Sequence, residues 1–181
     1  MSWLNSHIQN LNEKQAITDE FGSFSYRQLH QQTLQYKNFL DHSIDDCQVV
    51  AILSDYNFYS VALFLALLEK KAVIVPIVSA KSKEIERRLN VVNPHAIIRL
   101  DKNQLEIDLN SNITLHALVK SLVVSKKSGL VIFSSGSTGE PKAMIHNLDS
   151  LVNSYHGKKI KNFNMLVFLM FDHIGGLNTL L

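Results

Sequence analysis

Apolar positions fall into two rhythms along the chain, and their alternation predicts the fold class. Gln48 to Leu53 is a continuous apolar run of strand length, and Asn57 to Leu68 is apolar on every side at helical length. Ala72 to Ile77 is a second buried-type strand. A helix capped by Ser82 follows, with Ile85, Leu89 and Val92 on one face and Asn93-Pro94 as its stop, and Ala96 to Leu100 makes a third strand. Strand, helix, strand, helix, strand implies right-handed crossovers and an α/β fold: a parallel sheet with helices on both faces. The helix at 57 to 68 has no polar face, so it is expected between two packed layers.

The flanks read as smaller pieces. A helical turn at the N-terminus leads into a hairpin, Gln15 to Asp19 and Gly22 to Ser25. Ser25 with Gln28 three residues on forms a capping box, and Tyr26, Leu29, Thr33, Tyr36 and Leu40 make the buried stripe of the helix it opens. Gln104 to Leu109 alternates like a half-exposed strand, and Thr114 to Val119 starts a short helix. Leu130 to Phe133 is a buried strand and Ala143 to His146 a short one. Asn147 caps a helix through about Tyr155, with Ser150 at its third position, and Met165 to Phe171 reads as a solid apolar strand. The chain carries no internal repeat.

Composition narrows the function classes. At 181 residues and 46% hydrophobic, the chain is long enough for a sizeable core and reads as one domain or one piece of a domain. A net charge of +2 with scattered Lys and Arg makes no case for nucleic acid. Cys47 is the single cysteine, which excludes an internal disulfide and points to a reducing, cytoplasmic setting. The start MSWLNSHIQN has no signal-peptide pattern, and Val61 to Leu68, the longest apolar run, is too short to span a bilayer as a helix. A soluble protein is expected. The eight histidines show no HxxH or HxxxH spacing and no cysteine partner, so no structural metal site is expected.

Chemistry concentrates between Leu130 and Lys142, LVIFSSGSTGEPK. A polyphosphate needs converging donors, positive charge and a backbone free to approach. Gly136 and Gly139 supply the backbone freedom, and Ser134, Ser135, Ser137 and Thr138 supply hydroxyls. Lys142 supplies a compact cation, while Pro141 stiffens the exit. The string is not G-x-x-x-x-G-K-[ST], and no helix start follows Lys142, so a helix dipole is not the main device. A polar surface turn is the plain alternative for any Gly/Ser cluster.

The whole string SSGSTGEPK closely resembles the phosphate-binding signature of the adenylate-forming superfamily, which includes acyl-CoA synthetases, luciferases and peptide-synthetase adenylation domains. Ala143 stands where that pattern has glycine. FSYRQL, after the first hairpin, resembles the family's opening helix. A second stretch, FDHIGGLNTLL from Phe171 to Leu181, places Asp172 and His173 at the C-terminal end of a predicted strand, the edge where open parallel sheets bind ligands. Gly175 and Gly176 would let a substrate or a neighbouring backbone come close. An isolated histidine there is ordinarily a packing residue. HIGGLN, however, resembles the acyl-CoA synthetase form of the next family motif, whose histidine lies against the acyl substrate. Phe171-Asp172 also resembles the Phe-Asp with which peptide-synthetase domains hold a substrate amino group. Alignment on HIGGLN favours His173 and a carboxylic acid without an α-amino group.

The resemblance covers essentially the whole chain and implies the first subdomain of the adenylate-forming N-terminal domain, over residues 1–181. It implies ATP and Mg2+ as cofactors, activation of a fatty or aryl acid to an acyl-adenylate, and transfer to coenzyme A or to phosphopantetheine on an acyl carrier protein. Ser134, Ser135, Gly136, Ser137, Thr138, Gly139 and Lys142 would hold phosphates; His173, Asp172, Gly175 and Gly176 would line the acyl site. Magnesium, ribose and catalytic-lysine motifs are expected beyond Leu181, which makes the chain read as truncated and inactive alone. A non-catalytic binding module and an unrelated phosphate-binding protein are the rival classes.

Overall fold

The structure is a computed structural model that describes residues 2–135, 141–158 and 164–180. Its elements run α1 (Ser2–Leu11), β1 (Gln15–Asp19), β2 (Gly22–Ser25), α2 (Tyr26–Asp41), β3 (Val49–Leu53), α3 (Phe58–Glu69), β4 (Val73–Ile77) and α4 (Ser82–Val92). Then follow β5 (Ala96–Asp101), β6 (Gln104–Leu109), α5 (Ala117–Val124), β7 (Gly129–Ser135), β8 (Pro141–Asn147), α6 (Leu148–Asn153) and α7 (Ile174–Leu180). β1 and β2 pair as the predicted hairpin, and the main sheet has the order β6-β5-β3-β4-β7-β8. Its four inner strands are parallel, as the alternation requires, and antiparallel β6 and β8 close its two edges.

Local signals place the helices. Ser25 Oγ accepts from the Gln28 N–H while Gln28 Oε1 accepts from the Ser25 N–H, the predicted capping box of α2. Asn57 and Ser60 make the same reciprocal pair at the start of α3. Ten of the twelve residues of α3 are buried, because the sheet covers one side and α2 the other. Each fully buried leucine such as Leu63 or Leu67 contributes about 2 kcal/mol relative to exposure. α4 ends on Asn93 in the left-handed region (φ 49), which asparagine tolerates, directly before Pro94.

Several boundaries differ from the sequence reading. Lys81, not Ser82, is the N-cap of α4, without a side-chain cap. Ser79 Oγ accepts from the Lys81 N–H, and this turn moves the helix start back by one residue. The helix expected from Thr114 starts at Ala117, where His116 Nδ1 accepts from the Leu118 N–H. The N-terminal turn is a ten-residue helix, and α6 stops at Asn153. The largest correction is Met165 to Phe171, which is not a strand. An apolar run becomes a strand only beside an edge that takes its backbone hydrogen bonds, and no described strand pairs with this one. Leu166 (85% exposed) and Phe168 (83%) stand in solvent instead.

One residue shapes the sheet in a way the pattern did not announce. The Val73 N–H donates to Gln48 on the β3 side, so even-numbered residues of β4 turn their amides toward β7. Pro76 has no amide to offer there. The ladder between β4 and β7 accordingly covers only Val73–Gly129 and Ile74–Leu130 and does not continue toward their C-terminal ends.

Candidate functional site

The two faces of the sheet are covered by different crossovers. α3 packs with Val50, Ile52 and Ile74 on one face, whereas Ile85, Leu89 and Val92 of α4 pack with Val49, Ala51 and Val75 on the other. The crevice at the C-terminal ends of β3 and β4 is therefore the topological switch point, where open α/β sheets take ligands. The segment from Phe171 to Gly176 lies across it. The Phe171 N–H donates to Asp55 Oδ1 (3.1 Å), just past β3. The Val78 N–H, just past β4, donates to Asp172 Oδ2 (3.1 Å). The Tyr56 hydroxyl donates to the Gly176 carbonyl (2.6 Å), and burial raises its pKa, which keeps it a donor. Asp172 and His173 thus reach the predicted sheet edge by docking onto it, without the predicted strand beneath them.

His173 is exposed and precedes α7, its Nδ1 accepting from the Gly175 N–H (3.1 Å). That acceptor role leaves the proton of the neutral ring on Nε2. The space beside the two glycines is filled differently. A Cβ on Gly176 would meet the Met170 carbonyl at 2.5 Å, and one on Gly175 would meet Leu169 Cδ1 at 2.5 Å. A neighbouring backbone therefore comes close at Gly176, whereas at Gly175 the neighbour is the end of a side chain.

Asp172 is 8% exposed and is held by more than the Val78 amide. Arg88, from α4 on the other layer, donates through Nη1 to Asp172 Oδ2 (2.6 Å) and through Nε to Glu84 Oε1 (2.8 Å). Its guanidinium carbon lies 5.4 Å from the centre of the Phe133 ring on β7. Sequence reading missed Arg88, since an arginine on an amphipathic helix reads as a solvated face. It also missed Pro76, Asp55 and Tyr56, although a proline inside the buried run VIVPI was a visible signal.

At the β7 edge of the crevice, β7 and β8 form a hairpin in which Ser134 stands opposite Lys142 and Ser135 opposite Pro141. Ser134 and Lys142 fall on the face of Ile132, the face that also buries Phe171 and Leu177. Lys142 is exposed and Ser134 half-buried. Gly136, Ser137, Thr138 and Gly139 lie outside the described residues. Hydroxyls and an ammonium suit phosphate oxygens rather than a divalent cation. Among the described residues no cluster of three His, Cys, Asp or Glu side chains is placed to hold a metal ion, so no magnesium ligand is assigned. Two cavities open elsewhere: one of about 280 Å³ at the opposite sheet edge, near His95 and Asp45, and an apolar one of about 210 Å³ near Val119 and Ile145. None of the candidate residues lines either.

Comparison with known proteins agrees with this layout. The chain is 25% identical over 166 residues to the nonribosomal peptide synthetase easA of Emericella nidulans, covering 81% of this chain and 2% of that protein. It is 24% identical over 163 residues to the D-alanine–D-alanyl carrier protein ligase of Lacticaseibacillus casei, covering 83% and 32%. The chain thus spans about a third of the ligase and a small part of the synthetase. Among solved structures, the Klebsiella oxytoca NpsA N-terminal subdomain in complex with 3-hydroxyanthranilyl-AMSN matches with a TM-score of 0.58 at 22% identity, over 78% of this chain and 39% of that one. That likeness establishes a shared fold. The family model for AMP-binding enzyme matches residues 4–181, and the chain belongs to that family.

Proposed function

We propose that the protein serves an AMP-forming ligase reaction, in which a carboxylic acid and ATP give an acyl-adenylate and pyrophosphate, followed by transfer to a thiol. The observation that carries this reading is spatial: Ser134 and Lys142 pair at the C-terminal sheet edge, and the segment bearing His173 docks on the same face of that edge. In this reading Ser134, Ser135, Gly136, Ser137, Thr138, Gly139 and Lys142 hold the β- and γ-phosphates, and His173 faces the acid. ATP would bring Mg2+, which would supply further positive charge to the phosphate oxygens beside Lys142. The acceptor is phosphopantetheine on a carrier protein, a choice supported by the names of the two curated relatives, with coenzyme A as the acyl-CoA synthetase-like alternative. The cytoplasm is the compartment that suits an ATP-dependent enzyme with a free, half-buried Cys47.

The acid is a fatty or aryl acid, a reading supported by Asp172, whose Oδ2 is already engaged by Arg88 and the Val78 amide. The rival reading is an amino acid, and the peptide-synthetase and D-alanine relatives favour it. Pyrophosphate exchange by the full-length protein with matched acids, such as 3-phenylpropanoate and phenylalanine, separates the two. Within the active pair, Ser137→Ala/Thr138→Ala slows exchange by about 10²-fold or more, the scale of lost transition-state donors, without lowering the melting temperature. Exchange undiminished in that variant removes the loop from the mechanism. ATP binding without exchange over the whole panel makes the protein a binding module.

A further inference from the structure

Three observations meet at the gap between β4 and β7. Pro76 withholds the amide that would face β7, so the ladder ends at Ile74 and Leu130 and no backbone bridge joins the strand ends beyond them. Asp172 is fixed on the β4 side of that gap by the Val78 N–H. Phe133 lies on the β7 side, one residue before Ser134, where the hydroxyl loop begins. The Arg88 guanidinium joins the two sides, bonded to Asp172 and stacked toward the Phe133 ring.

We propose that Arg88 is a positioning residue for the reaction, clamping the segment that carries His173 to the strand that delivers the phosphate loop. The proposal rests on the ligase reading of this site. Only a planar fork does this work: it lies over Phe133, gives one N–H to Asp172 and gives a second to Glu84, which holds its aim. Glu84 sits one helical turn earlier on α4, so the aim of the fork is set within a single rigid element. Asp172 is buried, and a carboxylate there without its cation is left poorly solvated and pulls its segment toward water. Since His173 follows directly in the chain, that movement displaces the acyl side of the site against the nucleotide side. A displacement of about 1 Å at a reacting group costs on the order of 10²-fold in rate.

The test uses the full-length protein with the acid that gives most pyrophosphate exchange. Arg88→Ala should lower kcat by about 10²-fold, and ethylguanidinium added to the assay should restore much of it, whereas ethylammonium should not. Arg88→Lys should stay close to Arg88→Ala, because charge without the fork does not span the gap. Amide exchange should show Val78 and Phe171 losing protection in both variants while Ile52 and Ile74 keep theirs. Activity retained by Arg88→Lys, or a loss in Arg88→Ala that ethylguanidinium leaves uncorrected, overturns the positioning role. Absence of exchange by the unmodified protein with every acid removes the ligase reading and this inference with it.

Discussion

Helix propensity and packing make opposite predictions for Gly176, and the structure decides between them. Gly176 lies in the first turn of α7, where alanine is favoured over glycine by up to about 1 kcal/mol. Its added methyl would sit 2.5 Å from the Met170 carbonyl oxygen, 3.1 Å from the Leu169 carbonyl and 3.3 Å from Tyr56 Cε2. Backbone oxygens cannot rotate aside, so α7 must move off the segment. Overpacking of that kind costs about 1–3 kcal/mol, and the movement stretches the Tyr56–Gly176 hydrogen bond, worth about 1 kcal/mol. The net expectation for Gly176→Ala is a loss of about 1–3 kcal/mol. Gly175→Ala is the control, because its methyl meets chiefly the movable end of Leu169 and needs only a small shift of the His173 ring at 3.3 Å. Its stability should change by less than about 1 kcal/mol. Urea and thermal unfolding of the pair should separate them by about 2 kcal/mol, or roughly 4–8 °C in Tm, with equal m-values. Gly176→Ala unfolding at or above the Gly175→Ala midpoint would refute the packing argument.

Two further substitutions read out single hydrogen bonds. Asn57→Ala removes the acceptor for the Ser60 N–H at the start of the buried helix α3 and should cost about 1–2 kcal/mol in urea unfolding, whereas Asn57→Asp, which keeps an acceptor, should cost far less. His95 Nδ1 accepts from the Val49 N–H, and burial holds its pKa below the ordinary 6.5, so it folds neutral. The unfolded chain takes up that proton first as pH falls. The stability contribution is therefore present above the unfolded pKa and lost as pH drops from about 7 through the folded pKa. His95→Gln should flatten that limb of a urea-midpoint profile between about pH 7 and 5; an unchanged slope would mean that His95 does not carry it.

Legibility followed the range of the interactions. The Ser25–Gln28 box, the Asn147 cap and the alternation from Val49 to Asp101 involve residues a few positions apart, and the chain spells them out locally. The apolar run from Met165 misled because apolarity is necessary for a buried strand and insufficient without an edge to join. Gly175 and Gly176 left open whether a substrate or a neighbouring backbone would come close, and the Met170 carbonyl beside Gly176 is visible only once the chain has doubled back. Arg88 and Asp172 lie 84 residues apart, and no spacing rule links them. The residue types of the site could be read from the sequence; the pair that joins its halves had to be seen.

Pro76 gives the sheet a direction of compliance. Strands joined by a full ladder resist sliding and splaying along their whole length, but β4 and β7 are joined at one end only. Past Val73 and Gly129 the hairpin β7–β8 is therefore held to the rest of the fold by side chains, Ile132 in the core and Phe133 beside Arg88, out to Ser135 and Pro141. Seven residues of strand extend about 20 Å, so most of the length of β7 depends on those side chains for its place beside β4. The missing amide of a single proline thus hands the alignment of this end of the sheet, where Ser134 and Lys142 face each other, from backbone hydrogen bonds to side-chain packing.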